Sequence, residues 1–394
     1  MAVEVAIVAD DLTGALDVAG PFAGRGQHTV VAVDAEACAP EAFDGASVVS
    51  INATSRHLSA DRAAHLVRAV MRRLCPVDAR ILIKKIDSTL RGNVAAETLA
   101  MLDASGRRHA IIAPAFPAQG RTVQNGMVHV RGEPLPSTPF ARDALSPPPL
   151  DPLDDVFRAA APAARVVRVA SGAPIDLDGG AVGVQVHVVD SETDDDLERT
   201  VRALHGRLHE CVLVGSAGIA GAVARVSMPS APTPSAPHLH GDMLVAVGSR
   251  AEQSAAQVVE LSRQPGVAVF DAPNGAVDVQ AMLDSDARVQ VLRAAPDARG
   301  REVDAEAVAR SLAMGVVARV RARPVAALLA TGGDTAIAIL RALSCASLRV
   351  MGDLVPGIPY SKLEVDARPL LLLTKAGGFG GPETLVEVVR RLRG

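Results

Sequence analysis

The chain has 394 residues and a mass of 40.6 kDa, more than one ordinary compact domain holds and suited to two. Hydrophobic residues at 49%, charged residues at 21% and a mean hydropathy of +0.24 supply enough apolar material for a core and exclude disorder over most of the length. A net charge of −4, with aromatics at only 2% and no Trp, argues against nucleic-acid binding, which calls for basic excess and stacking rings.

Taken in order, the opening MAVEVAIVADD has no basic region and only a short apolar run before two aspartates, so it reads as a first strand and not as a signal peptide. Apolar β-like runs follow at 29–34, 47–52, 80–86, 109–114, 164–170, 184–190 and 211–216, with helical stretches at 59–74, 91–104, 193–208 and 217–226. The Pro-rich stretch 133–152 reads as a long loop of the first domain, and long loops are often functional. Residues 227–241, with four prolines and no hydrophobic period, read as an interdomain linker. Beyond it, runs at 243–249, 267–272, 289–295, 325–331 and 369–375 alternate with helices near 251–263, 304–322, 335–343 and 383–392. Strands of near-continuous apolar residues belong to sheets covered on both faces. The expectation is α/β with two domains, each a largely parallel sheet flanked by helices, over 1–226 and 242–394.

No stretch is apolar enough to span a membrane, and no membrane partner is expected. Cys38, Cys75, Cys211 and Cys345 lie far apart, without C-x-x-C spacing, and read as reduced thiols of a cytoplasmic protein with no protein-held metal. Only four of the 40 Lys+Arg residues are lysines (Lys84, Lys85, Lys362, Lys375), so each stands out against an arginine background.

Ligands of open α/β sheets sit at the carboxyl ends of strands. There, VADDLTGALD (8–17) places Asp10 and Asp11 where they can orient a hydroxyl or accept its proton, although helix capping would use one of them anyway. INATSRH (51–57) offers Arg56 to an anion. In ILIKKIDSTLRGN (81–93), Lys85 and Asp87 share one strand face, so Lys85 should meet Asp87 or an anionic ligand, and Ser88, Thr89 and Arg91 should open a helix. APAFPAQGRTVQNG (113–126) reads as a Pro/Gly loop carrying Gln119 and Arg121. The second half has three strand–glycine–helix turns, at Gly248-Ser249, at Gly332-Gly333-Asp334-Thr335, and at Lys375 followed by Gly377, Gly378, Gly380 and Gly381. Such turns bring backbone amides to phosphate oxygens. Neither a P-loop signature nor G-x-G-x-x-G is present.

VADDLTGALD, KKIDSTLRGN, PAFPAQGRT, TGGDTA and KAGGFG occur in this order in the four-carbon acid sugar kinase family, which the chain resembles over nearly its whole length. The resemblance implies a sugar-acid-binding domain over 1–226 and an ATP-binding domain over 242–394. It also implies γ-phosphate transfer to a hydroxyl of threonate, erythronate or an oxo-tetronate. By the same resemblance the acid would meet Asp11, Arg56, Lys85, Ile86, Asp87 and Ser88, with Arg91 added from the residues themselves. The nucleotide would meet Ser249, Gly332, Gly333, Asp334, Thr335 and Gly377, with Lys375 neutralising charge and Mg²⁺ accompanying ATP. Ala376 and Gly378 stand where the family usually has Ser and Asn, and Arg250 where a smaller residue is common. For the base, Asp11 comes first, then Asp10, with Asp334 as the competitor. Two alternatives are an NAD-dependent sugar-acid dehydrogenase, which lacks its glycine fingerprint, and a sugar-acid sensor on a decayed kinase. A homo-oligomer is compatible with all three.

Overall fold

The computed structural model describes residues 3–35, 40–74, 79–143, 145–179, 183–231, 237–296 and 304–393. The chain divides into two compact units, Met1–Pro232 and Thr233–Gly394. The division falls inside the Pro-rich segment 227–241, of which 232–236 lie outside the described residues, as do Cys38 and Cys75.

In the first unit the elements are β1 (Val5–Ala9), α1 (Leu12–Ala23), β2 (Thr29–Ala32), β3 (Val48–Asn52), α2 (Ala60–Leu74), β4 (Ile81–Lys85), α3 (Val94–Ser105) and β5 (His109–Ala113). They continue with β6 (Arg121–Gln124), β7 (Met127–Val130), β8 (Glu133–Pro134), α4 (Leu153–Ala160), β9 (Arg165–Val169), β10 (Gln185–Val189), α5 (Asp194–Ala203), β11 (Cys211–Gly215) and α6 (Ala217–Ser227). The main strands run β2-β3-β1-β4-β11-β5-β10-β9, and every neighbouring pair is parallel. Seven of these eight strands are buried at every position (β1, β2, β3, β4, β5, β10, β11), as continuous apolar runs require.

Three local readings change. The segment 113–134 is not merely a loop: β6, β7 and β8 form an antiparallel sheet, turned at Asn125-Gly126, whose φ values of +53° and +74° suit a two-residue hairpin. Within 133–152 short 3₁₀ turns replace a featureless loop, and α4 follows it. No helix opens at Ser88, Thr89 and Arg91, because Leu90 (φ +63°) and Gly92 (φ +89°) hold a left-handed turn and α3 begins only at Val94.

The second unit contains β12 (Met243–Val247), α7 (Glu252–Ser262), β13 (Val267–Pro273), α8 (Val279–Leu283), β14 (Val289–Ala295), α9 (Ala305–Ala322), β15 (Ala327–Thr331) and α10 (Gly333–Ala342). It ends with β16 (Ser347–Val355), β17 (Ile358–Val365), β18 (Arg368–Lys375) and α11 (Thr384–Arg393). The strands run β13-β14-β12-β15-β18-β17-β16, parallel as far as β18 and antiparallel from β18 to β16. The β16–β17 hairpin, which the apolar-run reading passed over, turns at Pro356-Gly357. Its core packs Val245, Leu329, Leu373 and Tyr360 between helices. No helix among the described residues is long and apolar enough to cross a membrane.

Each sheet has one place where successive connections leave in opposite directions. In the first unit β1 connects towards β2 and β4 towards β5; in the second β12 connects towards β13 and β15 towards β16. The helices part there, leaving a crevice at the carboxyl ends of the strands.

Candidate functional site

In the first unit the crevice between β1 and β4 gathers most of the charged residues singled out above. Asp11 is the N-cap of α1: its Oδ1 accepts from the Gly14 amide (2.8 Å) and its Oδ2 from Thr13 Oγ1 (2.7 Å). Arg56, just after β3, donates from Nε (2.7 Å) and Nη2 (3.0 Å) to both oxygens of Asp10, and from Nη1 to Asp11 Oδ2 (2.7 Å). Its Nη2 also lies 3.8 Å from Asp87 Oδ1. Arg91 grips both oxygens of Asp87 at 2.9 Å, and the Thr89 hydroxyl donates to the same carboxylate. Arg56 is thus the hub of three carboxylates, held by paired charge-assisted bonds.

These charges set each other's ionisation. Burial alone would raise the Asp87 carboxyl, but Arg91 and Arg56 overcome it and hold it well below the usual carboxylate range. At Asp11, burial is likewise outweighed by Arg56 and Lys85, and the carboxyl is lowered. Asp10 is 2% exposed and both its oxygens face Arg56, whereas the Asp11 side chain keeps 16% of its surface open and its Oδ1 accepts only from Gly14.

The two lysines of β4 part company, as alternation along a strand dictates. Lys84 points away into a buried ion pair with Glu97 on α3 (2.8 Å) and donates to Val8 O and Lys85 O, bracing β1 against β4. Lys85 points into the crevice but does not pair with Asp87, which Arg91 has claimed; its ammonium donates to Ile86 O (2.9 Å). No described carboxylate lies within ion-pair distance of it, so it is the cation of this crevice whose hydrogens are least committed. Ile86 is anchored by its amide to Gly215 O (2.9 Å), and Ser88 is buried in the turn beyond.

The Pro-rich segment reaches this crevice too. Arg91 Nη1 lies 3.5 Å from Asp143, whose other oxygen accepts from the Ser146 amide (2.9 Å). Ser146 Oγ donates to Arg56 O (3.1 Å) and meets His57 Nδ1 at 2.8 Å. Arg121 is buried beside the Phe140 ring (5.7 Å) and feels Asp87. Asp143, Ser146 and His57 escaped the sequence reading because they come together only through long-range packing; nothing local marks them.

In the second unit the three glycine turns follow β12, β15 and β18, and β15 neighbours both other strands. Ser249 sits among them: an added methyl would stand 3.4 Å from Ser249 Cβ at Gly332 and 2.0 Å from its Oγ at Gly377. A methyl at Gly248 would stand 2.0 Å from Thr335 Oγ1. Gly332 has φ +103° and donates to Lys375 O (2.9 Å), closing the turn ahead of α10. Asp334 is exposed in the first turn of α10, and Thr335 is buried behind it. Lys375 does not face outward: 1% exposed, its ammonium donates to Ala376 O (2.9 Å), Gly377 O (3.3 Å) and Phe379 O (3.1 Å). Burial pulls it down to about 7. Ser254 and Gln257 of α7 hold the same loop through Gly377 O, Phe379 O and Gly381 O. With carbonyls drawn to the lysine and α7, the turn is shaped by its buried side, not by side chains above it.

A family model described as a sugar-binding N-terminal domain matches residues 5–223, more than half of the chain. The chain belongs to the four-carbon acid sugar kinase family. A second model, a nucleotide-binding C-terminal domain, matches 289–385. A D-threonate kinase of Bordetella bronchiseptica is 34% identical over 405 residues, covering 99% of this chain and 97% of that protein. A crystal structure from Salmonella typhimurium LT2 superposes with a TM-score of 0.78 at 21% identity, covering 99% of this chain and 100% of that one, a likeness of fold. A Bordetella bronchiseptica structure described as a citrate-bound, domain-swapped dimer is 30% identical with a TM-score of 0.50, over 100% of this chain and 99% of that one. As a member of this kinase family, the protein is a phosphotransferase with an alcohol group as acceptor.

Proposed function

We propose that this kinase transfers the γ-phosphate of ATP to a hydroxyl of a four-carbon sugar acid held in the crevice between β1 and β4. The nucleotide lies over the turns after β12, β15 and β18. The observation that carries the reading is the convergence of three glycine turns on Ser249, where a methyl at Gly377 would collide with a side chain. Backbone that close is the usual seat of phosphate oxygens, which take amide hydrogens and leave no room for Cβ.

In the acid crevice, Lys85 receives the carboxylate through its uncommitted N–H groups. Arg56, with Asp10 beneath it and Arg91 on Asp87, fixes the carboxylates in place. Phosphoryl transfer depends mainly on positioning and charge stabilisation. Asp11, through the open direction of Oδ1, orients the attacking hydroxyl and takes its proton as the bond to phosphorus forms. Its lowered carboxyl stays ionised, as an acceptor must.

Mg²⁺ is the expected companion of ATP. An ion carried by phosphates and water would meet Asp334, whose carboxylate is exposed in the first turn of α10. When bound, it would neutralise phosphate charge. The same reading extends to a cytoplasmic enzyme and a homo-oligomer, the latter checked by light scattering. The test of the function is ADP release on a panel of D-threonate, L-threonate, D-erythronate and 3-oxo-tetronate with ATP and Mg²⁺, D-threonate being first choice from the Bordetella relative. No ADP above the acid-free rate with any four-carbon acid would defeat the proposal.

A further inference from the structure

The last residue of VADDLTGALD is so far without a role. Asp17 lies on α1 three residues beyond Gly14, on the same helix face. That face is where Lys85 crosses: a methyl at Gly14 would stand 3.4 Å from Lys85 Cγ and 2.9 Å from its Nζ. Asp17 is only 6% exposed, and its Oδ1 is buried with no hydrogen-bond partner. Of the three hydrogens on the Lys85 ammonium, one goes to Ile86 O. A buried carboxyl with an unused oxygen therefore lies on the helix face that Lys85 crosses, beyond ion-pair distance but near enough to feel its charge, in a helix otherwise packed with apolar and small residues.

Charge decides what this carboxyl does. With Asp17 ionised, the four carboxylates Asp10, Asp11, Asp17 and Asp87 stand against the three cations Arg56, Lys85 and Arg91, while Asp143 and Arg121 add one charge of each sign. An acid bringing a fifth negative group would enter against that excess. With Asp17 protonated the count balances, and the whole Lys85 charge is left to the ligand.

We propose that Asp17 is a positioning residue of the acid site, acting through Lys85, and that capture of the anionic acid is coupled to uptake of one proton by the Asp17 carboxyl. The inference rests on the assignment of Lys85 to the acid. The groups facing Asp17 are Asp11 at the start of its own helix, Lys85 of β4 and Asp87 in the turn beyond. Strands β1, β2 and β3 carry no charged residue, and the one charge of α6, Arg225, is turned to Glu198 and Asp194. Burial pushes the Asp17 carboxyl up to about 7, with Lys85 opposing, so the proton exchange falls in an accessible range.

The test is calorimetric titration of the full chain, without nucleotide, with D-threonate, D-erythronate and 3-oxo-tetronate, in two buffers of different ionisation enthalpy. For the acid that binds, wild type should take up close to one proton per acid at pH 8 and little at pH 5.5. This measurement needs no variant. Asp17→Asn should take up none at either pH. In turnover, KM for the acid should rise about tenfold from pH 6 to 8 in wild type and stay flat in Asp17→Asn, with the change falling on KM more than on kcat. No uptake by wild type at pH 8, or equal uptake by Asp17→Asn, overturns the coupling. Lys85→Met is the separate control: full acid affinity in that variant would remove the assignment beneath the inference, whereas lost affinity with unchanged wild-type-like uptake in Asp17→Asn would remove the inference alone.

Discussion

The two crevices occupy equivalent topological positions but are built from opposite materials. Between β1 and β4, recognition is written in charged side chains that restrain one another through Arg56 and Arg91. Between β12 and β15 it is written in backbone, with Gly248 and Gly377 placed where a side chain would collide and a buried Lys375 drawing the loop's carbonyls inward. The difference follows from the ligands proposed for them. A small acid with several hydroxyls must be told from its stereoisomers, which takes fixed side chains; a phosphate chain asks only for amide hydrogens at close range.

Substitutions can break this contrast. The largest effect should come from Lys85→Met, where removing the uncommitted cation lowers kcat/KM for the acid by ~10²–10³-fold (about 3–4 kcal/mol). The KM for ATP should stay within about twofold of wild type; steady-state kinetics on both substrates would expose a parallel change, which the contrast forbids.

A second test uses acid. His187 is buried in β10, its ring 5.7 Å from that of His109 in β5, and burial holds it down at about 4, with His109 also lowered. The unfolded chain binds protons at these groups from pH ~6.5 downward while the folded one does not, so stability is intact above that value and falls as pH drops towards 4. On the order of 3 kcal/mol should be lost across that window from His187. Urea midpoints of wild type and His187→Gln, with the N-terminal unit opening first, would check it.

Asp11→Asn should reduce kcat by at least ~10²-fold with little change in acid affinity. If acid binding vanishes instead, and Asp334→Asn alone stops turnover with both ligands bound, the base belongs to the other unit. Gly377→Ala, which sets a methyl 2.0 Å from Ser249 Oγ, should raise the ATP KM by roughly tenfold and leave acid binding untouched. The smallest change should follow Ser146→Ala, since Ser146 reaches the crevice only through Arg56 O and His57: about a threefold rise in acid KM. A drop in ATP affinity there would blur the separation.

Much of this was legible in the chain itself, for reasons that also explain what was not. Buried parallel strands announce themselves by continuous apolar runs such as 5–9 and 211–215, and their ends show where chemistry sits. Asp10, Asp11, Arg56 and Lys85 were found that way, and the fold brings them together. The hairpin β16–β17 was missed although Pro356-Gly357 marks its turn, and β6–β7 although Asn125-Gly126 does. Of the two partners read for Lys85, Asp87 is taken by Arg91, four residues on, which reaches back because Leu90 and Gly92 take positive φ; the other, an anionic ligand, is the one proposed. Glu97 as the partner of Lys84, and Asp17 within reach of the Lys85 charge, depend on how helices lie on the sheet, which no short window of sequence records.

The position of β11 has a consequence for how the first unit is made. Although last in sequence among its strands, it lies between β4 and β5, with Arg107 tying its entrance to that of β4 through Cys211 O, Ala79 O and Arg80 O. Until residues 211–215 emerge from the ribosome, the growing chain can build only two half-sheets, β2-β3-β1-β4 and β5-β10-β9. The edges of β4 and β5 stay unpaired and apolar through the synthesis of about a hundred residues, as open strand edges that invite the wrong neighbour. Insertion of one late strand joins the halves, buries both edges and places Gly215 O under the Ile86 amide. The acid crevice is thus finished by the same event that closes the open edges of β4 and β5.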